Sequence, residues 1–263
     1  MSALALAFAI AAGPAVADPC APADDATHVT GVSQCLLARS YGPATADTLV
    51  VWLHGDVSSG GPATYHFALA ERTAASLASK GVAVVALVRP GYPDDAGASS
   101  SVSAMHAGRN DHYTKENVSE VGAAIDRLRE RTKAKRVVVA GHSGGAATAA
   151  ILLGMKPKSI DAAVLVACPC DTVAWRAGRR AWTRSENPIA WADRVDPAAF
   201  VIALTGQADD NTSPALAQAY VDALRARKID ATFMPLPGET HNGAVRAAAV
   251  GEAIVRAVAK ASP

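Results

Sequence analysis

From Thr48 onward the 263-residue sequence alternates short apolar runs with longer stretches of helical periodicity, a rhythm that few architectures accept. The runs are Thr48 to Leu53 (TLVVWL), Val82 to Val88 (VAVVALV), Arg136 to Ala140 (RVVVA), Ala162 to Ala167 (AAVLVA), Ala199 to Thr205 and Ala231 to Leu236. Most are nearly continuous in apolar character, as a strand buried on both faces requires. Helical patterns separate them. The first covers Pro62 to Lys80 and stops at Gly81; the second begins near Asn117, with Glu120 placed to close a capping box and Val118, Val121, Ile125 and Leu128 on one face. Three more follow over Gly145 to Met155, Ala215 to Arg227 and Val245 to Ala259. Alternation at this pace predicts an α/β fold, a mostly parallel sheet covered by helices on both faces. Residues 168–197 carry no strand pattern but hold Trp175, Trp182 and Trp191, and read as a small cap segment.

Composition narrows the partners. Half the residues are apolar and the formal net charge is +1, with Lys and Arg scattered, so neither a nucleic-acid footprint nor a membrane-surface patch is expected. The length fits one large domain better than two small ones. Ala3 to Ala12 is apolar but too short to span a bilayer, and Ala15 and Ala17 suit a signal peptidase. A leader over residues 1–17 and a secreted or periplasmic domain over 18–263 are therefore expected. Cys20, Cys35, Cys168 and Cys170 make an even number, in keeping with structural disulfides in an oxidising compartment. Cys20 with Cys35 closes a small loop and Cys168 with Cys170 a very tight one, though crossed pairings remain open. The spacing is poor for zinc, and no metal or cofactor is expected.

The third strand runs directly into Gly141-His142-Ser143-Gly144-Gly145, a G-x-S-x-G turn with a strand before it and a helix after it. A serine on such a turn is a candidate nucleophile, but its hydroxyl needs a base that a third group orients. His241 follows the last strand and precedes the last helix, and is the candidate base. His142, inside the turn, cannot easily reach around to Ser143. The acid is expected in Gly206-Gln207-Ala208-Asp209-Asp210. Asp209 is preferred because Gly206 turns the chain and aims it; Asp210 then faces solvent or caps the next helix. Oxyanion donors are expected at the backbone N–H groups of Gly144 and of Asp56, in Leu53-His54-Gly55-Asp56. His54 is read as a packing residue. Tyr92 and Trp175 are candidates for the substrate pocket. Arg176, Arg179, Arg180 and Arg184 read as a solvated basic surface, with carboxylate binding as the alternative.

LHGD, GHSGG, GQADD and THN occur in an order that resembles the α/β-hydrolase superfamily over nearly the whole chain beyond the leader. Asp111-His112-Tyr113-Thr114 and the Asp209-Asp210 pair are most similar to prolyl-oligopeptidase-type or dienelactone-hydrolase-type catalytic domains, with Ser143 where the latter carry cysteine. The resemblance implies an α/β-hydrolase fold and acyl transfer to water from a small ester or a peptide, without metal or cofactor. A catalytically silent binding protein of the same fold is the remaining alternative.

Overall fold

The structure, a computed structural model, describes Cys20 and residues 26–58, 61–101 and 110–261. The expected leader lies outside the described residues. Eight strands form one sheet: β1 (His28–Thr30), β2 (Cys35–Tyr41), β3 (Thr48–Leu53), β4 (Ala83–Leu87), β5 (Arg136–His142), β6 (Ala162–Val166), β7 (Phe200–Gly206) and β8 (Asp230–Leu236). Their order across the sheet is β1-β2-β4-β3-β5-β6-β7-β8. Neighbours from β4 to β8 pair in parallel, while β1 with β2 and β2 with β4 are antiparallel. The α/β-hydrolase expectation therefore holds for the fold. The first two strands are an addition, because a three-residue strand and the half-polar CLLARSY carry little pattern of their own.

Among the described residues seven α-helices accompany the sheet: α1 (Tyr65–Ser76), α2 (Lys115–Thr132), α3 (Gly144–Met155), α4 (Thr172–Trp175), α5 (Pro214–Ala226), α6 (His241–Ala244) and α7 (Ala248–Lys260). Strand geometry sends alternate side chains to opposite faces. Leu49, Val51 and Leu53 of β3 accordingly join α2, α3 and α5 in one core, and Val50 and Trp52 join α1 and α7 in the other. Trp52 is buried, yet its indole N–H donates to Thr73 Oγ1 at 3.0 Å, so burial leaves no orphaned donor there. α3 is apolar on every side because it lies between the sheet and a 3₁₀ segment, Pro188–Arg194, whose Trp191 sits where a Cβ on Gly154 would stand.

Three helix starts differ from the sequence reading; α7 begins at Ala248, three residues after the expected Val245, because a separate short helix, α6, precedes it. α1 begins at Tyr65, three residues after the expected Pro62, and a 3₁₀ turn at Ala78–Lys80 carries the chain to Gly81, whose φ of 60° marks the expected stop. α2 is capped by Thr114, whose Oγ1 accepts from the Asn117 N–H at 3.3 Å, so Asn117 is inside the helix. The capping box at Asn117 and Glu120 does not form. Glu120 instead accepts from the backbone N–H groups of Val32, Ser33 and Gln34, tying α2 to the loop between β1 and β2. Disulfides join Cys20 to Cys35 and Cys168 to Cys170. Among the described residues no helix is long and apolar enough to cross a membrane.

Candidate active site

Ser143 is the single residue between β5 and α3, with φ 51° and ψ −117°. A residue bearing a Cβ is disfavoured there by on the order of 1–3 kcal/mol, a cost that only surrounding packing sustains. The flanking glycines make the turn sterically possible. A Cβ on Gly141 would stand 2.5 Å from the Gly145 carbonyl carbon, and one on Gly145 would stand 2.7 Å from the Leu53 carbonyl carbon. Ser143 also donates its N–H to the Val166 carbonyl at 2.8 Å, fixing the turn to β6.

Two loops at the same end of the sheet meet it. Asp209 follows β7 and His241 follows β8; His241 Nε2 lies 3.0 Å from Ser143 Oγ, and its Nδ1 lies 2.9 Å from Asp209 Oδ2. Asp209 is buried and also accepts from the N–H groups of Asn211 (3.0 Å) and Thr212 (2.8 Å) and from Thr212 Oγ1 (2.8 Å). Burial would raise its pKa, but the His241 and Thr212 hydrogen bonds outweigh it and hold the carboxyl below its ordinary range. Asp210 is exposed. The geometry thus brings Ser143, His241 and Asp209 into one hydrogen-bonded line and leaves Asp210 out of it.

On the other side of Ser143 lies the loop after β3. Gly55 packs against the turn so closely that a Cβ on it would stand 3.0 Å from Ser143 Cβ, and a Cβ on Gly144 would collide with the Asp56 carboxylate. Gly144 opens α3, so its N–H has no intrahelical acceptor. The Asp56 carboxylate accepts from Arg89 Nη2 and Tyr113 Oη, each at 2.5 Å, and from Tyr92 Oη at 3.2 Å. Burial would raise the Asp56 pKa; the adjoining Arg89 charge and the Tyr113 hydrogen bond overcome that and lower it.

A second line of hydrogen bonds runs behind the turn. Gly55 N–H donates to Tyr65 Oη at 2.5 Å, and Tyr65 Oη lies 2.7 Å from His142 Nδ1. His142 Nε2 lies 3.1 Å from the His241 carbonyl. Burial, with the neighbouring His241 next, pushes the His142 pKa down to about 4, so near neutral pH this ring is uncharged. A neutral ring carries one N–H, which must be at Nε2 to donate to a carbonyl; Nδ1 then accepts from Tyr65. His54 is likewise buried and neutral, accepting from the Arg89 N–H at Nε2 and donating from Nδ1 to the Gly55 carbonyl. It shapes the loop, as expected.

A cavity of about 600 Å³ opens over Ser143 and His241. Trp175, an expected pocket residue, lines it together with Trp182 and Tyr65. Tyr92 does not stand at the rim. It is fully buried behind Asp56, because its hydroxyl finds a partner there rather than in the opening.

A family model described as the alpha/beta hydrolase family matches residues 50–202, more than half of the chain. The chain belongs to that family. Comparison with curated proteins gives no match for this hydrolase. Among solved structures it is similar to Est1E of Butyrivibrio proteoclasticus bound to ferulic acid, with a TM-score of 0.66 and 16% identity over 88% of this chain and 99% of that one. It is also similar to the Pyrococcus furiosus esterase Pf2001, with a TM-score of 0.63 and 17% identity over 87% and 90%. A puromycin-hydrolysing peptidase of Mycobacterium tuberculosis gives 0.64 and 17% over 87% of this chain but only 38% of that one. At these identities the likeness speaks for the fold alone.

Sequence reasoning missed several residues of this hydrolase's site. Tyr65 sits in a helix and bonds a partner 77 positions away. Arg89 stands just beyond β4, and nothing local marks a guanidinium that pairs with a carboxylate 33 positions earlier. Thr212, three residues after Asp209, was legible in principle, since a hydroxyl at that offset from an aspartate commonly caps its own turn.

Proposed function

We propose that this enzyme is a serine hydrolase that cleaves a carboxylic ester or related acyl bond through Ser143, His241, Asp209 and an acyl-enzyme intermediate. The observation that carries the reading is the single imidazole of His241, within hydrogen-bond distance of Ser143 Oγ on one side and Asp209 Oδ2 on the other. With Nδ1–H donating to Asp209, Nε2 is free to accept the serine proton as Oγ attacks a carbonyl carbon. Asp209, held ionised, then stabilises the imidazolium. The N–H groups of Gly144 and Asp56 receive the developing oxyanion, each donor of this kind contributing roughly 10²–10³ in turnover. His241 passes its proton to the leaving group, and water completes the cycle. Residues 18–263 form the exported catalytic domain in this reading, with 168–197 as a cap; the two disulfides support an oxidising setting.

The test is labelling by a fluorophosphonate probe: wild type is labelled and Ser143→Ala is not. An unlabelled wild type that is folded would leave the reading of a silent binding protein. A peptidase is the second reading, supported by the likeness to the puromycin-hydrolysing peptidase. A panel of p-nitrophenyl esters against aminoacyl and prolyl amides separates the two, since the ester reading requires the esters to give the higher kcat/KM.

A further inference from the structure

Three arginines border the cavity over Ser143: Arg176 and Arg179 from the segment after β6, and Arg246 from beyond α6. Among the described residues none of the three forms an ion pair. Of the described carboxylates, only Asp56 lines the same cavity, and Arg89 already neutralises it. Arg176 is held in place. Its guanidinium lies 5.3 Å from the ring centroids of both Trp175 and Trp182, and its Nε donates to the Arg180 carbonyl at 2.9 Å. Its Nη groups have no acceptor among the described residues. Guanidinium groups gathered around one opening repel each other, and a bound anion removes that repulsion while using their forked donors.

Basic residues elsewhere are partly paired and partly not. Arg184, on the same segment, is paired with Asp111, and Arg225 and Lys260 elsewhere are also paired. Arg39, Arg194 and Arg256 likewise form no ion pair among the described residues and lie over Phe67, Trp191 and Phe200; Arg176, Arg179 and Arg246 differ in sharing one opening, over Ser143. The same cavity is lined by Trp175 and Trp182, packed edge to face at 5.1 Å, which offer an apolar surface beside the arginines. We propose that this cavity selects esters in which an apolar spacer joins the scissile carbonyl to an oxyanionic group, a carboxylate or a phosphoryl group, received by Arg176, Arg179 and Arg246. The inference rests on the serine-hydrolase reading for the reaction, but the anion subsite itself does not depend on turnover.

The experiment compares phenyl hydrogen adipate with phenyl hexanoate, which has the same chain length and no charge. Its arms add a phosphonate-terminated and an amino-terminated analogue. Expected is a preference of about tenfold or more in kcat/KM for the anionic ester, the size of one charge-assisted hydrogen bond, with the amino-terminated ester poorest. The carboxylate-to-phosphonate ratio identifies which oxyanion the subsite takes. Arg179→Gln and Arg246→Gln, both at exposed positions where folding is not at risk, each reduce the ratio of charged to neutral ester, and with Arg176→Gln the preference disappears. Calorimetric binding of both esters to Ser143→Ala provides a reading free of catalysis. Preferential binding of the adipate there without turnover by wild type upholds the subsite and breaks the hydrolase reading. Equal binding, or no binding of either, together with an unchanged ratio in the arginine variants, overturns the subsite.

Discussion

Two carboxylates flank Ser143, and they differ in the partner that neutralises them. Asp209 faces His241, whose imidazole can both accept and donate a proton; Asp56 faces Arg89, whose guanidinium can only donate hydrogen bonds. Both carboxyls are held below their ordinary range despite burial. Around Asp209 the hydrogen bonds are made so that one proton can move; around Asp56 three donors converge so that nothing moves. On the proposed reading, one side of the serine serves the chemistry and the other holds a backbone loop still.

The sharpest way to break that contrast is at the serine itself. Ser143→Ala is expected to lower kcat on the best ester by about 10⁶, the scale seen when a triad nucleophile is removed. Next, Asp209→Asn keeps the shape but offers His241 the wrong hydrogen-bonding partner, and kcat should fall by about 10⁴. Asp210→Asn, at an exposed position, should change kcat less than threefold on the scale of ordinary surface substitutions. A larger loss from Asp210→Asn than from Asp209→Asn would reverse the assignment of the acid.

On the other side, Arg89→Met leaves Asp56 without its cation. Chemical denaturation should report a loss of about 3 kcal/mol, the low end for a broken buried pair because the Asp56 side chain keeps 17% of its surface exposed. Asp56→Asn combined with Arg89→Met should recover part of that loss, since no unpaired charge then remains. Strict additivity of the two changes would mean the pair does not act as a unit.

A further effect is on the pH dependence of stability. His142 and His66 have folded pKa values lowered to about 4 and about 3, chiefly by burial, against an unfolded value of 6.5. The unfolded chain therefore binds more protons as pH falls, and stability should decline from about pH 6.5 down to about 3, with the His142 share complete by about pH 4. His66→Phe should flatten this slope in thermal melts. The depressed carboxyls Asp56 and Asp209 act in a lower window, their contribution being lost only as pH falls below about 4 toward their folded values. An unchanged slope in His66→Phe would show that this ring does not carry it.

How much of this was legible in the sequence follows from the range of the interactions. The parallel strands and the serine turn are written locally, in continuous β-branched runs and in glycines that only the turn requires. Ser143, His241 and Asp209 were readable because each stands just beyond a strand end. The Asp56 cluster was not, since Tyr113 reaches Asp56 across 57 positions and no local pattern marks a tyrosine that donates to a distant carboxylate. Tyr92 was misplaced for the same reason: a residue beyond a strand end was read as rim, yet its hydroxyl is drawn inward by a carboxylate. The cap of α2 went to Thr114 because Glu120 had backbone donors on β1's loop to satisfy, a competition that is invisible along the chain.

The line from Gly55 through Tyr65 and His142 to the His241 carbonyl begins with a group that can only donate and ends with one that can only accept. Every hydrogen in between is therefore oriented one way, and none can advance without the end groups exchanging roles, which amides do not do. The path is an insulator. It ties the loop bearing Asp56 to the loop bearing His241 mechanically, and because it ends on the His241 carbonyl and not on the ring it carries no proton to or from that imidazole.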